Sequence, residues 1–209
     1  MAKKEAPIDA LKQFIPPDTY ELVSGYLHKY SIHLTVTRAR TSVLGDYRNA
    51  VHGKNHRISV NGNLNPYAFL YTLIHEIAHL LVFDQYGHRV ASHGKEWKSQ
   101  FSALLADFLR MNVFPDDIRK GISKSLHNPA ASSCAEDDLL RIFRKYDKGK
   151  ENLVFVEELE LGCQFVTSDG RVFRRGSRIR KRYKCIEVSS GREYLFSPVY
   201  EVRVVGFNS

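Results

Sequence analysis

The chain has 209 residues, of which 43% are hydrophobic and 26% are charged, and its formal net charge is +8 at pH 7. This length allows one medium-sized domain and a second small one, and the composition is typical of a globular protein rather than a disordered or fibrous one. No apolar run reaches the roughly 18 residues that a membrane helix needs, and no apolar segment follows the N-terminal lysines. We therefore expect neither a membrane span nor a secretory signal.

The cysteines and the net charge bear on the compartment and the partners of the protein. Cys134, Cys163 and Cys185 form no CxxC pair. Such a sparse, odd set does not indicate a disulfide framework and is typical of a reducing compartment. We therefore predict a cytoplasmic protein. Its positive charge favours acidic partners, nucleic acid above all.

The N-terminal part of the chain predicts one helix followed by two short strands. Asp18 is a suitable N-cap, and apolar residues at helical spacing follow it as far as Tyr30. Alternation of apolar and polar residues then predicts strands at Ile32–Thr37 and His56–Val60, with a turn at Gly45–Asp46 between them. By analogy with other folds, and not from these residues themselves, the second strand is a candidate edge strand at which the backbone of a substrate could add to the sheet.

Two longer helices are predicted in the middle of the chain. The first starts after Pro66 and stops near Gly87, and the second starts after Gly94. Each carries an apolar stripe at i, i+3 and i+4 spacing, so we expect the two helices to pack against each other. The stripes consist of Leu70, Leu73, Ile74, Ile77, Ala78 and Leu81 in the first helix, and of Trp97, Phe101, Leu104, Leu105 and Phe108 in the second.

Beyond Pro115 the helical signal weakens, and the pattern later changes to short strands. Asp138–Tyr146 predicts a short helix inside a linker region at residues 128–150. Five strands separated by turn residues then predict a small antiparallel meander. These strands are Val154–Leu159, Gly162–Val166, Arg178–Val188, Tyr194–Phe196 and Tyr200–Val205.

The first of the two long helices contains the sequence HEIAH at residues 75–79. On a helix, residues i and i+4 lie on one face, so His75 and His79 can direct their imidazoles at one metal ion. Zinc accepts neutral histidine nitrogen readily, and a catalytic zinc site keeps one position for water. Glu76 lies beside that face, and we expect it to take the proton of this water as the general base. The HExxH pattern therefore predicts a hydrolytic zinc site.

The third metal ligand is open among three residues at this point. The longer HExxHxxGxxH pattern is absent, because Val82 and Gln85 occupy the positions of its Gly and its last His. His93 and Glu96 lie at the start of the next predicted helix, where a rigid backbone would hold a ligand. His88 falls in a predicted loop, where a ligand would be poorly positioned. We therefore rank His93 first, Glu96 second and His88 third.

Four blocks of sequence in this region resemble the SprT-like metallopeptidases. They are Leu44–Arg48 (LGDYR), His56–Asn61 (HRISVN), Leu73–His79 (LIHEIAH) and His93–Lys98 (HGKEWK). In outline the resemblance covers the first 127 residues, and it is specific only in these blocks. It implies a zincin-like domain in which His93 is the third zinc ligand and Glu76 is the general base. It also implies a protein substrate, which in some relatives is crosslinked to DNA.

The C-terminal part of the chain departs from this family in its cysteines. Many SprT-like proteins end in a zinc ribbon with two close cysteine pairs, whereas this segment holds only Cys163 and Cys185, and no histidine follows His127. A structural zinc site needs four ligands. We therefore expect a ribbon-like β domain at residues 151–209 that lacks zinc ligands and is stabilised by its apolar faces.

The strongest charge cluster of the chain also lies in this C-terminal part. Residues 171–184 include eight arginines or lysines and no acidic residue. Arginine binds phosphates, and interleaved aromatic side chains could stack on bases. The structural alternative is a solvated strand face whose aromatic residues are buried. The candidate nucleic-acid contacts are Arg174, Arg175, Arg180 and Arg182, with Phe173 and Tyr183 as the stacking aromatics.

These features together predict an α+β protein with a SprT-like metallopeptidase domain at residues 1–127, a linker region at 128–150 and a basic β-meander domain at 151–209. The predicted activity is the hydrolysis of peptide bonds with Zn2+ as the cofactor, on protein or peptide substrates that include DNA-associated proteins. Two alternatives stay open. One is a nucleic-acid-binding protein whose metal site is structural or vestigial, although such a site has no need for Glu76. The other is a metal-dependent hydrolase that acts on another class of substrate.

Overall fold

The computed structural model describes residues 7–40, 43–51, 53–127, 129 and 137–206. The chain divides into two compact units, Met1–Tyr146 and Asp147–Ser209. Each unit has its own hydrophobic core. The first unit combines helices with a small sheet and the second is built on an antiparallel sheet, which confirms the predicted α+β class.

The first unit begins with a short 3-10 helix at Ile8–Gln13, followed by helices and strands in mixed order. Thr19, and not Asp18, is the N-cap of the first α-helix, because Asp18 takes a left-handed backbone conformation with φ of 67°. The elements of this unit are α1 Tyr20–Lys29, β1 His33–Thr37, β2 Gly45–Arg48, β3 Arg57–Asn61, α2 Pro66–Tyr86, α3 Lys95–Arg110, α4 Asp116–Ser125 and α5 Asp137–Arg144.

The three strands of the first unit form a sheet in the order β1–β3–β2. Strand β1 runs parallel to β3, and β2 runs antiparallel to it. The predicted turn at Gly45–Asp46 is wrong, because both residues lie in β2. The prediction of an edge strand at His56–Val60 is also wrong, because β3 is paired on both sides. The edge that lies beside helix α2 is formed by β2 instead.

Helix α2 is the central helix of the first unit. Its N-cap Asn65 accepts hydrogen bonds from the amides of Tyr67 (3.1 Å) and Ala68 (3.0 Å), while Pro66 at the first position has no amide to satisfy. The side chain of Asn65 also donates to the carbonyl of Phe143 at 2.9 Å, which ties the start of α2 to α5. Strands β2 and β3 and helix α3 pack on α2, so most of its faces are buried.

Burial explains the strongly apolar composition of α2. Within the described ranges it is the one helix that is long and apolar enough to cross a membrane by length and composition. However, 72% of its most apolar window is buried inside the protein. This is the pattern of a core helix in a soluble protein, and it is compatible with the predicted cytoplasmic location.

Helix α5 lies inside the segment that the sequence predicts as a linker. Its Leu139 and Phe143 are 3% and 5% exposed and pack in the core of the first unit, so this unit extends to Tyr146 rather than ending at residue 127. The short helix predicted at Asp138–Tyr146 corresponds to α5. Cys134 lies outside the described residues. The assignment of a metallopeptidase domain and a basic domain to these parts of the chain stays a prediction.

Among the described residues of the second unit, the strands form a six-stranded antiparallel sheet in the order β4–β9–β5–β6–β7–β8. The rings of Phe165, Phe173 and Phe196 pack together at its centre, with centroids 4.9 to 5.7 Å apart. The strands are β4 Val154–Phe155, β5 Gln164–Val166, β6 Val172–Ile179, β7 Arg182–Glu187, β8 Glu193–Phe196 and β9 Glu201–Val204.

Two strand predictions in the second unit are wrong in their bounds. The predicted strand at Arg178–Val188 contains a hairpin, in which β6 turns into β7 at Arg180–Lys181 and Arg180 has a φ of 54°. The sequence hides this turn, because it has none of the Gly or Asn residues that usually mark one. The predicted strand at Val154–Leu159 is reduced to β4 and is followed by a 3-10 helix at Val156–Glu158.

Candidate metal centre

Three histidines meet between helix α2 and the start of helix α3. His75 and His79 lie one helical turn apart on α2, and His93 lies two residues before α3. One ligand atom from each histidine can be chosen such that all three lie within 4.8 Å of one another. The Nε2 atoms of His75 and His79 are 3.2 Å apart. The structure therefore brings together the two helix histidines and the residue that the sequence ranks first as the third ligand.

These nitrogens fit a bound zinc ion. Nε2 of His93 is buried and has no hydrogen-bond partner among the described residues. Buried polar atoms are nearly always paired, so an unpaired nitrogen beside two other imidazoles is explained by a cation that the three bind together. Three protein ligands, with a further position left for water, are typical of catalytic zinc, whereas structural zinc takes four.

Burial keeps the three histidines in the form that binds metal. It lowers the pKa of His75 to about 3, with smaller contributions from the charges of His79 and His93. It lowers the pKa of His79 to about 4, with a contribution from His93, and it also lowers the pKa of His93. Since metals bind neutral imidazole, no proton has to be displaced from these side chains at neutral pH.

Trp97 packs against all three histidine rings. Its ring centroid lies 4.6 Å from that of His75, 5.2 Å from that of His79 and 4.8 Å from that of His93. The side chain is fully buried and stacks on Phe101 at 4.8 Å. Trp97 is therefore a core residue of α3, as its place in the apolar stripe predicts, and it also forms an apolar wall of the metal site. Such a wall limits the access of water to a bound ion.

Glu76 lies next to the histidines on α2 and is only 5% exposed. Burial raises the pKa of its carboxyl to about 8, the charge of Asp46 raises it further, and the charge of Arg40 opposes the shift. A catalytic base works best when its pKa lies near the operating pH, because it can then both accept and return a proton. The environment of Glu76 suits that role.

Gly45 of strand β2 lies directly against Glu76. A Cβ atom at this position would lie 2.5 Å from Oε1 of Glu76 and 2.7 Å from Cγ2 of Thr72, which is closer than such atoms approach. The edge strand therefore forms one wall of the space that holds the carboxyl of Glu76. This contact was missed in the sequence, because Gly45–Asp46 there has the composition of a turn.

The other two candidates for the third ligand lie outside the histidine cluster. His88 is exposed, and its ring packs against Phe83 at 5.1 Å. Glu96 lies in the first turn of α3, and its carboxylate is 3.9 Å from the ammonium of Lys95. In the described part of the chain, neither residue joins the group of His75, His79 and His93 that could hold a metal ion.

The basic cluster of the second unit lies on the β6–β7 hairpin and on the residues just before it. The predicted stacking of Phe173 and Tyr183 on bases is wrong, because their side chains are 0% and 7% exposed and belong to the core of this unit. Arg175 is half-buried, with its guanidinium carbon 4.4 Å from the ring centroid of Tyr183. The other three candidate contacts are exposed, namely Arg174, Arg180 and Arg182.

Comparison with known proteins finds a family whose sequence model matches the region of the candidate metal centre. A sequence model of the SprT-like family matches residues 22–113, a range that includes His75, Glu76, His79 and His93. The protein SprT of Enterobacter sp. (strain 638) is 41% identical to this chain over 63 residues, which cover 24% of this chain and 38% of that protein. No solved structure matches the chain. The resemblance read from the four sequence blocks is thus confirmed as a match of residues 22–113 to the SprT-like family model.

Proposed function

We propose that this protein is a zinc-dependent peptidase. The observation that supports this most directly is the convergence of three neutral imidazoles beside a buried carboxyl, inside a domain of the SprT-like family. A site that only stabilised the fold would gain nothing from Glu76, since burial of a carboxyl costs free energy. A catalytic role accounts for both the histidines and the carboxyl.

In this proposal His75, His79 and His93 hold the ion through their neutral ring nitrogens. When bound, zinc acts as a Lewis acid that makes water acidic and polarises the carbonyl of a peptide bond. Glu76 takes the proton of the attacking water and later gives it to the leaving amine. Trp97 and Phe101 form the apolar side of the site, which keeps bulk water away from the histidines.

The edge strand β2 is the proposed binding surface for the substrate backbone. Within the described residues it pairs with β3 on one side only, and its Gly45 lies against Glu76. An extended peptide can add to such an edge through main-chain hydrogen bonds, with little dependence on its sequence. We therefore propose extended or unfolded protein segments as the substrate class.

Cleavage of an unfolded protein by the zinc-loaded chain, with Glu76→Gln as the inactive control, tests the proposed activity. Tight zinc binding without any cleavage would favour the alternative of a nucleic-acid-binding protein with a structural metal site. Cleavage of an ester but of no peptide would favour a hydrolase of another substrate class.

We also propose DNA as a partner of the second unit. The tip of the β6–β7 hairpin and the strands beside it expose Arg174, Arg180, Lys181 and Arg182. No ion pair between these four side chains and an acidic residue is found in the described part of the chain. Unpaired cations at the tip of a hairpin can contact phosphates without large desolvation of other groups, and such binding releases counterions.

Binding of a short DNA duplex is expected to weaken steeply with salt. If the four side chains each neutralise one phosphate, the affinity should fall on the order of 10²-fold between about 50 and 200 mM salt. Replacing all four with glutamine should remove most of this dependence, whereas Arg192→Gln, an exposed change in the β7–β8 turn, should preserve it. Fluorescence anisotropy of a labelled duplex measures the affinity of the unaltered protein and of each variant at each salt concentration. A flat salt response of the unaltered protein would contradict the proposed partner.

A further inference from the structure

A closed network between Arg40 and Asn61 also holds Val43 and Leu44, the two residues just before strand β2. Nε of Arg40 donates to Oδ1 of Asn61 at 2.8 Å. In return, Nδ2 of Asn61 donates to the backbone carbonyls of Arg40 (3.0 Å) and Val43 (3.1 Å). Asn61 is only 1% exposed, so these bonds are shielded from water. Each side chain therefore fixes the other, and Val43 is tied to the end of β3.

The guanidinium of Arg40 also reaches β3 and the residue that precedes Gly45. It donates to Oγ of Ser59 at 3.1 Å and to the carbonyls of Ser59 and Leu44, both at 3.4 Å. The carbonyl of Leu44 accepts a further bond from the amide of Asn61 at 2.9 Å. The peptide unit that joins Leu44 to Gly45 thus has its oxygen held by two donors, one of which is Arg40.

This anchoring matters because Gly45 is the wall against which Glu76 lies. The space there is so small that even a methyl group on Gly45 would lie 2.5 Å from Oε1 of Glu76. A small displacement of β2 would therefore change where the carboxyl of Glu76 can lie. Misplacement of a catalytic group by about 1 Å can cost on the order of 10²-fold in rate.

We propose that Arg40 is a positioning residue for peptide hydrolysis, which sets the distance between strand β2 and the carboxyl of Glu76 through its bonds to Asn61 and Leu44. This inference rests on the proposed peptidase function. Arginine suits the role because its planar fork presents donors to several acceptors at once, whereas lysine offers donors from a single atom. None of the hydrogen bonds of Arg40 goes to His75, His79 or His93, so binding of zinc should not depend on it.

Kinetics of Arg40→Ala and Arg40→Lys test the inference, with Arg57→Ala as the matched control on the exposed face of β3. We expect Arg40→Ala to lower kcat about 10- to 100-fold and to leave the zinc content full. KM should rise as well, because the displaced strand β2 is also the proposed binding edge for the substrate. Low millimolar guanidinium ion should restore part of this kcat, whereas the same concentration of sodium ion should not. Guanidinium should restore nothing in Glu76→Gln, and Arg57→Ala should behave as the unaltered protein.

Several results would overturn the inference. These are an unaltered kcat in Arg40→Ala, a loss of kcat that follows loss of zinc, or the absence of rescue by guanidinium. If the alanine variant does not fold, Arg40→Lys keeps the charge and the aliphatic stem, and an unaltered kcat in that variant would also overturn the inference.

Hydrogen exchange gives a readout that needs no substrate. In Arg40→Ala, amides of the segment 43–48 should exchange faster than in the unaltered protein, while those of helix α2 should not. Unchanged exchange in this segment would overturn the anchoring role even if cleavage were reduced. If the unaltered zinc-loaded protein cleaves no substrate, the proposed peptidase function fails, and exchange still shows whether Arg40 holds β2.

Discussion

Replacement of Glu76 with glutamine is expected to abolish peptide cleavage while zinc stays bound. Glutamine has the shape of the carboxylic acid but cannot accept the proton of the attacking water, and loss of general acid–base catalysis typically costs 10²- to 10⁴-fold in rate. The three histidines are unaltered, so the zinc content should equal that of the unaltered protein. The neutral amide should also be tolerated in the fold, because the carboxyl it replaces is buried and has a raised pKa.

Cleavage of an unfolded protein and zinc content per chain, measured on the same samples, test this expectation. Glu96→Gln is a matched control, since Glu96 lies in the neighbouring first turn of α3 and outside the histidine cluster. It should keep both cleavage and zinc. Cleavage at the normal rate by Glu76→Gln would contradict the assignment of the base, and loss of zinc in Glu96→Gln would make Glu96 a ligand.

Gly45→Ala is expected to reduce cleavage nearly as strongly as Glu76→Gln does, although it alters no chemical group of the site. The added methyl would lie 2.5 Å from Oε1 and 2.9 Å from Cγ of Glu76, so the side chain or the strand must move. We expect a loss of about 10²-fold in kcat from the misplaced carboxyl. Overpacking should also lower the free energy of unfolding by about 1–3 kcal/mol. Zinc content should be unchanged, because the three atoms nearest to the added methyl belong to Glu76 and Thr72 and not to a histidine.

The matched control is Gly25→Ala in helix α1. A methyl there would meet no atom within 4 Å, and alanine in a helix is about 0.5–1 kcal/mol more favourable than glycine. This variant should cleave normally and melt at the same or a higher temperature. If Gly45→Ala also kept its full kcat, strand β2 would not limit the position of Glu76.

The two candidate ligands on α2 could be predicted from the sequence, because helical spacing alone decides how they lie relative to each other. His75 and His79 share a helix face whatever the rest of the fold does, and the apolar stripes on α2 and α3 correctly predict that these helices pack together. The assignment of His93 as the third ligand needed more information, since the sequence pattern alone left Glu96 and His88 as further candidates for that role. The fold favours His93, because this residue lies two positions before α3 and joins His75 and His79 in the group that could hold a metal ion.

The surroundings of Glu76 could not be predicted in the same way. Gly45–Asp46 has the local composition of a turn, and only pairing with β3 makes it a strand. Asn61 and Arg40 are 21 residues apart, and neither carries a local signal of their contact. The hairpin at Arg180–Lys181 was missed for the related reason that its turn lacks the usual residues, and pairing between β6 and β7 decides it. Contacts between residues far apart in sequence leave little trace in local pattern.

Zinc content per chain tests the three-histidine site most directly, when it is measured by elemental analysis on the unaltered protein, His93→Ala and Cys163→Ser. The proposed site predicts one zinc in the unaltered protein, one in Cys163→Ser and little in His93→Ala. Full occupancy in His93→Ala would remove that histidine from the ligand set. Two zinc ions per chain, or loss of zinc in Cys163→Ser, would contradict a single site in the first unit and a second unit without zinc.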